Sequence, residues 1–260
     1  MRCAVVGHVE WVEFARVPHW PAPGEIVHAT DVFSEPAGGG AVVARQLARL
    51  AGRCELFTAL GDDEVGRASV RRLAELSMDI HVQHPWISMA TRRAWTHIDD
   101  KGERTITVLG EKLLARGPLP LEGYDLVYFV SGDVEALRSA RRARFLAATL
   151  REQDTLREAA VPLDLLVGSA NDPSERYDGS LDAKVVVRTD GANGGTANGE
   201  PFEAAEPPGP VVDTYGAGDS FGAALAFALA RGDALQGALA LATRAGAAVI
   251  TGRGPYTSQV

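Results

Sequence analysis

The chain reads as an α/β protein, a three-layer α/β/α Rossmann-like core with a small antiparallel β lid. Three observations predict this. Short, continuous apolar runs recur along the chain and end in glycine or polar turns, the pattern of parallel strands buried on both faces. Stretches read as helices stand between them, and this alternation implies a mostly parallel sheet covered on both sides. Two segments, 10–34 and 88–110, break the alternation and read as a lid inserted into a single domain spanning 1–260.

In order, Cys3 to Gly7 is a short apolar run closed by glycine, as a buried strand is. Pro18 to Pro23 is a proline-rich break, after which Ile26 to Phe33 partly alternates as a half-exposed strand. Gly38-Gly-Gly40 opens a helix over Ala41 to Leu50, with Gly52 as its stop. A strand from Glu55 to Leu60, a turn over 61–66, a helix from Arg67 to Leu76 and a strand from Asp79 to Val82 follow. Thr91 to Ile98 and Arg104 to Leu109, joined by Asp99-Asp-Lys-Gly102, form a hairpin. Leu126 to Val130 is again a strand. Asp133 to Leu150 reads as a helix with Arg138, Arg141, Arg142 and Arg144 on a solvated face. Strands at Leu163 to Val167 and Lys184 to Arg188 feed polar or glycine-rich loops, and helices over 217–231 and 233–251 close the chain.

Hydrophobic residues make up 46% of the 260, enough for a sizeable core. The net charge of −8, with both signs mixed along the chain, argues against a nucleic-acid partner. Cys3 and Cys54 lie in apolar runs and read as buried thiols of a reducing compartment. The N-terminus lacks the build of a signal peptide and no apolar run has the length of a membrane span, so a cytoplasmic protein with no membrane partner is expected. The histidines at 8, 19, 28, 81, 84 and 97 lack metal-ligand spacing. His81 and His84 are three apart, but on an extended stretch ending at Pro85. Walker A and Gly-x-Ser-x-Gly strings are absent.

Chemistry concentrates at Val211-Val-Asp-Thr-Tyr-Gly-Ala-Gly-Asp-Ser-Phe221. A short apolar strand ends at Val212, a glycine turn follows, and an Ala- and Leu-rich helix runs on from Phe221. Gly216 and Gly218 let the backbone fold tightly at the helix entrance. The first N–H groups there have no internal partner and carry the positive end of the dipole, which makes an anion site. Alone, Asp219 suits an ordinary N-cap. It gains a chemical reason if a hydroxyl must lose its proton beside a phosphate, which is phosphoryl transfer.

The full string, Asp213-Thr-x-Gly-Ala-Gly-Asp-x-Phe221, resembles the C-terminal signature of the ribokinase-like (PfkB) carbohydrate kinase family. Other parts follow in the family's order. Pro21-x-Pro-Gly-Glu25 resembles the segment entering the lid, Gly38-Gly39 the N-terminal Gly-Gly signature, Gly61-Asp-Asp-x-x-Gly66 a frequent companion, and Asp100-x-Gly-Glu-Arg-Thr105 the second half of the lid. Val185-Val-Val-Arg-Thr-Asp-Gly191 with Gly194-Gly195 resembles the strand and loop that hold the nucleotide phosphates. Gly252-Arg-Gly-Pro-Tyr-Thr-Ser258 resembles the loop that, with Asp213, shapes a monovalent-cation site in several members.

The resemblance implies an ATP-dependent kinase for a small hydroxylated substrate, with a sugar as acceptor. Asp219 is then the base, and the N–H groups of Gly216, Ala217 and Gly218 form the anion hole. Thr189, Gly191 and Gly194 line the nucleotide side with Gly216 and Gly218. Glu10, Glu13, Gly38, Gly39 and Arg93 face the acceptor. Asp172 or Glu175 helps Mg²⁺ indirectly, and Asp213, Gly254 and Ser258 shape a K⁺ site. Family lids often pair between subunits, which implies a homodimer.

Departures from the family bear on the acceptor. The first signature reads Gly38-Gly-Gly-Ala-Val-Val43 where ribokinases carry Gly-Gly-Lys-Gly-Ala-Asn, so the Lys and the sugar-binding Asn are missing. Glu10 and Val12 stand at the places of the Asn and Asp that grip sugar hydroxyls. Glu10 or Glu13 accepts hydroxyl protons instead, with His8 and Trp11 beside them, and ribose is not the expected acceptor. The family's Asn-x-x-Glu motif is blurred: Ser169 and Asp172 have its spacing, Asn171 and Glu175 its residue types. Arg92 and Arg93 replace part of a Pro-Thr-Gly motif and read as lid charges, or as an arginine reaching down to an acidic substrate or the transferring phosphate. A nucleoside acceptor, and a sugar-binding sensor without turnover, are the alternative readings.

Overall fold

The computed structural model describes residues 1–83 and 89–260. His84, Pro85 and Ser88, the first residue of the second lid segment, lie outside the described residues. In chain order the elements begin with β1 (Cys3–Val6), β2 (Glu10–Arg16), β3 (Asp31–Ala37), α1 (Gly39–Ala51), β4 (Cys54–Ala59), α2 (Glu64–Glu75) and β5 (Met78–Gln83). Then come β6 (Arg93–Ile98), β7 (Arg104–Leu109), β8 (Leu126–Phe129), α3 (Val134–Ala140), β9 (Phe145–Thr149), α4 (Gln153–Ala159) and β10 (Leu163–Ser169). Last are β11 (Ala183–Thr189), β12 (Gly195–Ala197), β13 (Glu200–Phe202), α5 (Ala217–Arg231) and α6 (Leu235–Val249).

Nine strands form one sheet in the order β13-β12-β11-β10-β9-β8-β1-β4-β5. It is parallel from β11 to β5, with β12 and β13 as an antiparallel edge. Successive side chains on a strand point to opposite faces, and β1 shows what that does. Cys3 and Val5 join the core formed with α1, α5 and α6, while Ala4 and Val6 join the core formed with α3 and α4; all four are buried. A strand buried on both sides cannot alternate in hydrophobicity, which is why these strands read as continuous apolar runs. The end of β1 meets the start of α1 so closely that a Cβ on Gly40 would lie 2.6 Å from the backbone of Gly7. Two glycines thus bring the end of β1 and the start of α1 to one place. Among the described residues no helix is long and apolar enough to cross a membrane, and Cys3 and Cys54 are free and buried.

The lid is a second sheet, in the order β3-β2-β6-β7. It is mixed rather than purely antiparallel: β2 pairs antiparallel with β3 and β6 with β7, but β2 and β6 are parallel. The reason is topological. β2 follows β1 and β6 follows β5, and those core strands run in the same direction. The strand expected from Ile26 begins at Asp31, because its partner β2 ends at Arg16 and the register places Arg16 opposite Asp31.

A larger difference lies between 133 and 150. The helix expected there stops at Ala140, and Phe145–Thr149 is β9, inserted between β8 and β10. The run Phe-Leu-Ala-Ala-Thr is short, central and buried on both faces, so nothing periodic marks it as a strand. The arginines expected on a solvated helix face are partly structural. Arg144 pairs with Asp125 at 2.9 Å, and Arg141 donates to Pro162 O at 2.9 Å and to Asp164 Oδ2 at 2.8 Å.

Asp164 fixes β9 in place. Its carboxylate is buried, accepts the Leu146 N–H at 2.9 Å, and is also bonded by Arg141 and by Lys184 Nζ at 2.7 Å. Burial works to raise this carboxyl, but the bonds from Lys184, Leu146 N–H and Arg141 hold it below its ordinary range. A lowered carboxylate stabilises the fold above its unfolded pKa, and that stability is lost as pH falls through the folded value. Asp164→Asn is therefore expected to cost about 1.5–3 kcal/mol at neutral pH. Urea unfolding would read the loss, and the gap to wild type should close on acidification.

Candidate active site

The turn into α5 is held from both sides. Val212 and Asp213 donate their N–H groups to Ile250 O at 2.8 and 3.2 Å. Asp213 is buried, its Oδ1 accepting the Tyr215 N–H at 2.8 Å and its Oδ2 the Gly254 N–H at 3.1 Å. Gly216 then adopts φ 85°, a left-handed conformation that suits glycine, and caps α5 without a side chain. The Ala217 N–H points to Thr214 O at a long 3.5 Å. Among the described residues, the N–H groups of Gly216, Gly218 and Asp219 have no backbone acceptor. A Cβ on Gly218 would meet no atom within 4 Å.

Asp219 stands in this first turn, half-buried, with no hydrogen-bond donor to its carboxylate among the described residues. Its Oδ1 lies over Gly39, where a Cβ would come within 3.2 Å of it and within 2.9 Å of Val130 Cγ1. Any side chain at 39 would push against the carboxylate. Burial raises the Asp219 carboxyl above the ordinary aspartate range, Arg104 and Arg151 pull it back, and Glu175 adds to the rise.

Tyr215, an unspecified position in the signature, joins the two helix entrances: its hydroxyl accepts the Gly38 N–H at 3.1 Å, and its ring meets Phe14 of the lid edge-on at 5.1 Å. His8 fills the other side of Gly38, where a Cβ would come within 3.0 Å of its Cδ2. Its Nδ1 is 3.1 Å from Ser131 Oγ. Burial, with Lys112, Arg92 and Arg151 nearby, lowers its pKa to about 3, so the ring is neutral at physiological pH.

The residues expected around the acceptor divide by strand geometry. Glu10 and Glu13 are three apart on β2 and point to opposite faces. Glu10 is buried on the inner face beside Gly38, with its Oε2 3.3 Å from Arg92 Nε. Both atoms lack an aligned hydrogen bond. Burial raises the Glu10 carboxyl, while Arg92 and Lys112 lower it. Glu13 is on the outer face, bonded by Trp11 Nε1 at 3.0 Å, by Arg93 Nη2 at 3.2 Å and by Ser34 Oγ. The inward lid arginine is thus Arg92, and Arg93 pairs with Glu13 away from Asp219.

Of the residues expected to border a nucleotide, Thr189 ends β11 with its Oγ1 3.5 Å from Gly168 O. Gly191 has φ +55° and open space around it, whereas Gly194 packs where a Cβ would come within 2.0 Å of Phe202 O. Asp172 and Glu175 converge through Arg151, whose Nη2 donates to Asp172 Oδ2 at 2.7 Å and to Glu175 Oε1 at 2.6 Å. Glu175 Oε2 also accepts the Ser169 N–H at 2.7 Å. Among the described residues no group of three or more His, Cys, Asp or Glu could hold a metal, so Asp172 and Glu175 form no dedicated metal cage. Near Asp213, Gly254 has φ +69° and packs on Phe33, and Ser258 Oγ lies against Gly252.

Sequence reasoning did not assign Tyr215, Arg104, Lys112 or Arg151 to the site. Tyr215 is a free position in the motif, and the three basic residues lie on segments whose register only the fold supplies.

The sequence model of the pfkB family carbohydrate kinases matches residues 1–162 and 162–260. An aminoimidazole riboside kinase of Salmonella typhimurium is 26% identical over 269 residues, covering 86% of this chain and 84% of that relative. The ribokinase of Thermotoga maritima superposes with a TM-score of 0.78 at 23% identity, over 100% of this chain and 96% of that one. The nucleoside kinase of Methanocaldococcus jannaschii gives 0.77 at 18% identity, over 100% and 95%. With both halves of the chain matched and the ribokinase-like core in place, the chain belongs to the pfkB family of carbohydrate kinases.

Proposed function

We propose that this kinase moves the γ-phosphoryl group of ATP to a hydroxyl of a small sugar-like acceptor held between the start of α1 and the inner face of the lid. The observation that carries this reading is Asp219, a carboxylate without a donor of its own among the described residues, standing in the same turn as N–H groups that have no backbone acceptor there. The acceptor hydroxyl gives its proton to Asp219, and its oxygen forms the new bond to phosphorus. The β,γ-bridging P–O bond breaks, and its electron pair leaves with ADP. The N–H groups of Gly216, Ala217 and Gly218 stabilise the charge on the transferring group. Asp172 and Glu175 would help hold, through water, a Mg²⁺ ion arriving with the nucleotide, which would supply positive charge against the phosphates. Thr189, Gly191 and Gly194 border the nucleotide, and Asp213, Gly254 and Ser258 would hold K⁺ if it binds there.

Glu10, Gly38 and Gly39 face the acceptor, and Arg92 offers unspent donors next to Glu10. Glu13 and Arg93, on the outer face, take no part in this contact. A nucleoside acceptor is the second reading. Ile106 and Val108 lie on the lid's inner face, 39% and 42% exposed, and would cover a planar base beside the polar pocket. The outer face, with Trp95 52% and Val32 61% exposed, supports a homodimer through the lid.

ATP consumption would be followed with Mg²⁺ and K⁺ against sugars, sugar acids and nucleosides. Turnover with one acceptor that drops about 10²–10⁴-fold in Asp219→Asn is expected. Binding of an acceptor without turnover in either protein would leave a sensor and sink the base assignment. Because the Asp219 carboxyl is raised, its ionised form costs stability as pH rises through the folded value. Asp219→Asn should therefore raise the melting temperature at neutral pH, by about 2–4 °C per kcal/mol of relieved burial, and the acid limb of kcat/KM should lie above the ordinary aspartate value of about 3.9. Glu10→Ala is expected to raise the acceptor KM by about 10–100-fold with the ATP KM unchanged, whereas Glu13→Ala leaves both unchanged. Light scattering after size exclusion should report a dimer that Trp95→Glu converts to monomer; a wild-type monomer at micromolar concentration would discard the lid interface.

A further inference from the structure

Arg104 has no part in the reading above, yet it stands at the anion hole. The register places it opposite Ile98 on β6, and Ile98 stands opposite Arg16 on β2. All three share the lid's inner face, because Ile98 is buried there. From this face Arg104 Nη1 donates to Thr214 O at 3.0 Å and lies 3.5 Å from Thr214 Oγ1. Thr214 is two residues before Gly216, and its carbonyl is the one to which the Ala217 N–H points. The guanidinium lies over the Tyr215 ring, 5.9 Å from its centroid.

The hairpin turn before β7 is fastened to the same segment. The Thr214 N–H and Oγ–H both donate to Gly102 O at 3.1 Å, and a Cβ on Gly102 would come within 3.1 Å of Val211. The position of Arg104 is thus fixed by the lid at one end and by the catalytic turn at the other. Its Nε and Nη2 make no hydrogen bond among the described residues. Its charge is also the largest influence lowering the Asp219 carboxyl.

We propose that Arg104 is a catalytic residue of this kinase, its free N–H groups donating from the lid to the oxygens of the transferring phosphoryl group while the turn at Gly216–Gly218 donates from the core. The proposal rests on the kinase reading. In that reaction the transition state is loose and spreads charge over three equatorial oxygens. A guanidinium stays protonated at all relevant pH and has five donors in a fixed plane, so Arg104 takes no proton and serves only as a fixed donor. The bland alternative is a tie between lid and core, the role that the neighbouring Arg16 fills through Val212 O at 2.5 Å.

The test compares Arg104→Met, Arg104→Lys and Arg16→Met with the acceptor that turns over fastest in the panel. A lost phosphoryl donor should lower kcat in Arg104→Met by about 10²–10³-fold, with the KM values little changed. Lysine should recover only part, and added guanidinium should partly rescue Arg104→Ala. Arg16→Met should lower the melting temperature and keep kcat. A second readout needs no acceptor. ADP with aluminium fluoride, a mimic of the transferring group, should stabilise the wild type beyond ADP alone. Arg104→Met should keep the ADP shift and lose the increment. If Arg104→Met keeps the increment, or if its kcat loss matches that of Arg16→Met, Arg104 is only a tie and the proposal is overturned while the kinase reading stands. A wild type that shows neither turnover nor any response to ADP with aluminium fluoride overturns both.

Discussion

The carboxylate of Asp219, held partly out of water at the first turn of α5 with no donor of its own, constrains everything packed around it. Burial drives such a group toward its neutral form, and the fold opposes that drive without neutralising it by contact. The positive end of α5 and the charges of Arg104 and Arg151 act on it from a distance. A directly bonded arginine would favour the ionised carboxylate and make it a poor base; with no partner at all, burial would push it further toward its neutral form. The space beside it is kept by glycine at 39, where any side chain would meet Oδ1. His8 packs against Gly38 as a neutral ring and brings no competing charge at working pH.

The lid meets this site through strand geometry. Two glutamates and two arginines enter it as near neighbours in the chain, and the two-residue period sends one of each to either face. Glu10 and Arg92 become a buried pair with unspent hydrogen-bonding capacity beside Gly38. Glu13 and Arg93 become a satisfied pair on the outside, next to Trp95 and Val32. The unsatisfied pair is the one suited to a ligand, because a buried polar group without a partner costs more than one whose partner arrives with the substrate. The same sheet is anchored on the turn before α5 through Phe14 against Tyr215 and through Gly102 against Thr214, so the lid and this turn share their supports.

Much of the architecture was legible in the chain itself. The buried parallel strands announced themselves as unbroken apolar runs, and the helix ends as glycines. The short α4 and the edge strands β12 and β13 went unread, and among the parallel strands the exception was Phe145–Thr149, whose neighbours are rich in Ala and Arg and which is too short and too buried to show any period. It was read as helix, and only the pairing with β8 and β10 makes it a strand. The lid's mixed pairing was invisible for a related reason, since β2 and β6 are some 80 residues apart and their relative direction is set by the core strands that precede them.

At the candidate site, the sequence by itself determined the glycine turn that carries Asp219. Gly216, Gly218 and Asp219 lie within one local motif, and local backbone geometry suffices to create unpaired donors next to a carboxylate. The tertiary structure alone decided which charges surround that carboxylate. Arg104 comes from a lid strand, Arg151 from the turn after β9 and Glu10 from the strand after β1. Whether such residues meet depends on register and topology, which spacing along the chain does not encode. The choice of Glu10 over Glu13, and of Arg92 over Arg93, has the same cause: a pleated strand offers alternate residues to opposite sides, and only the packed sheet defines which side faces the core.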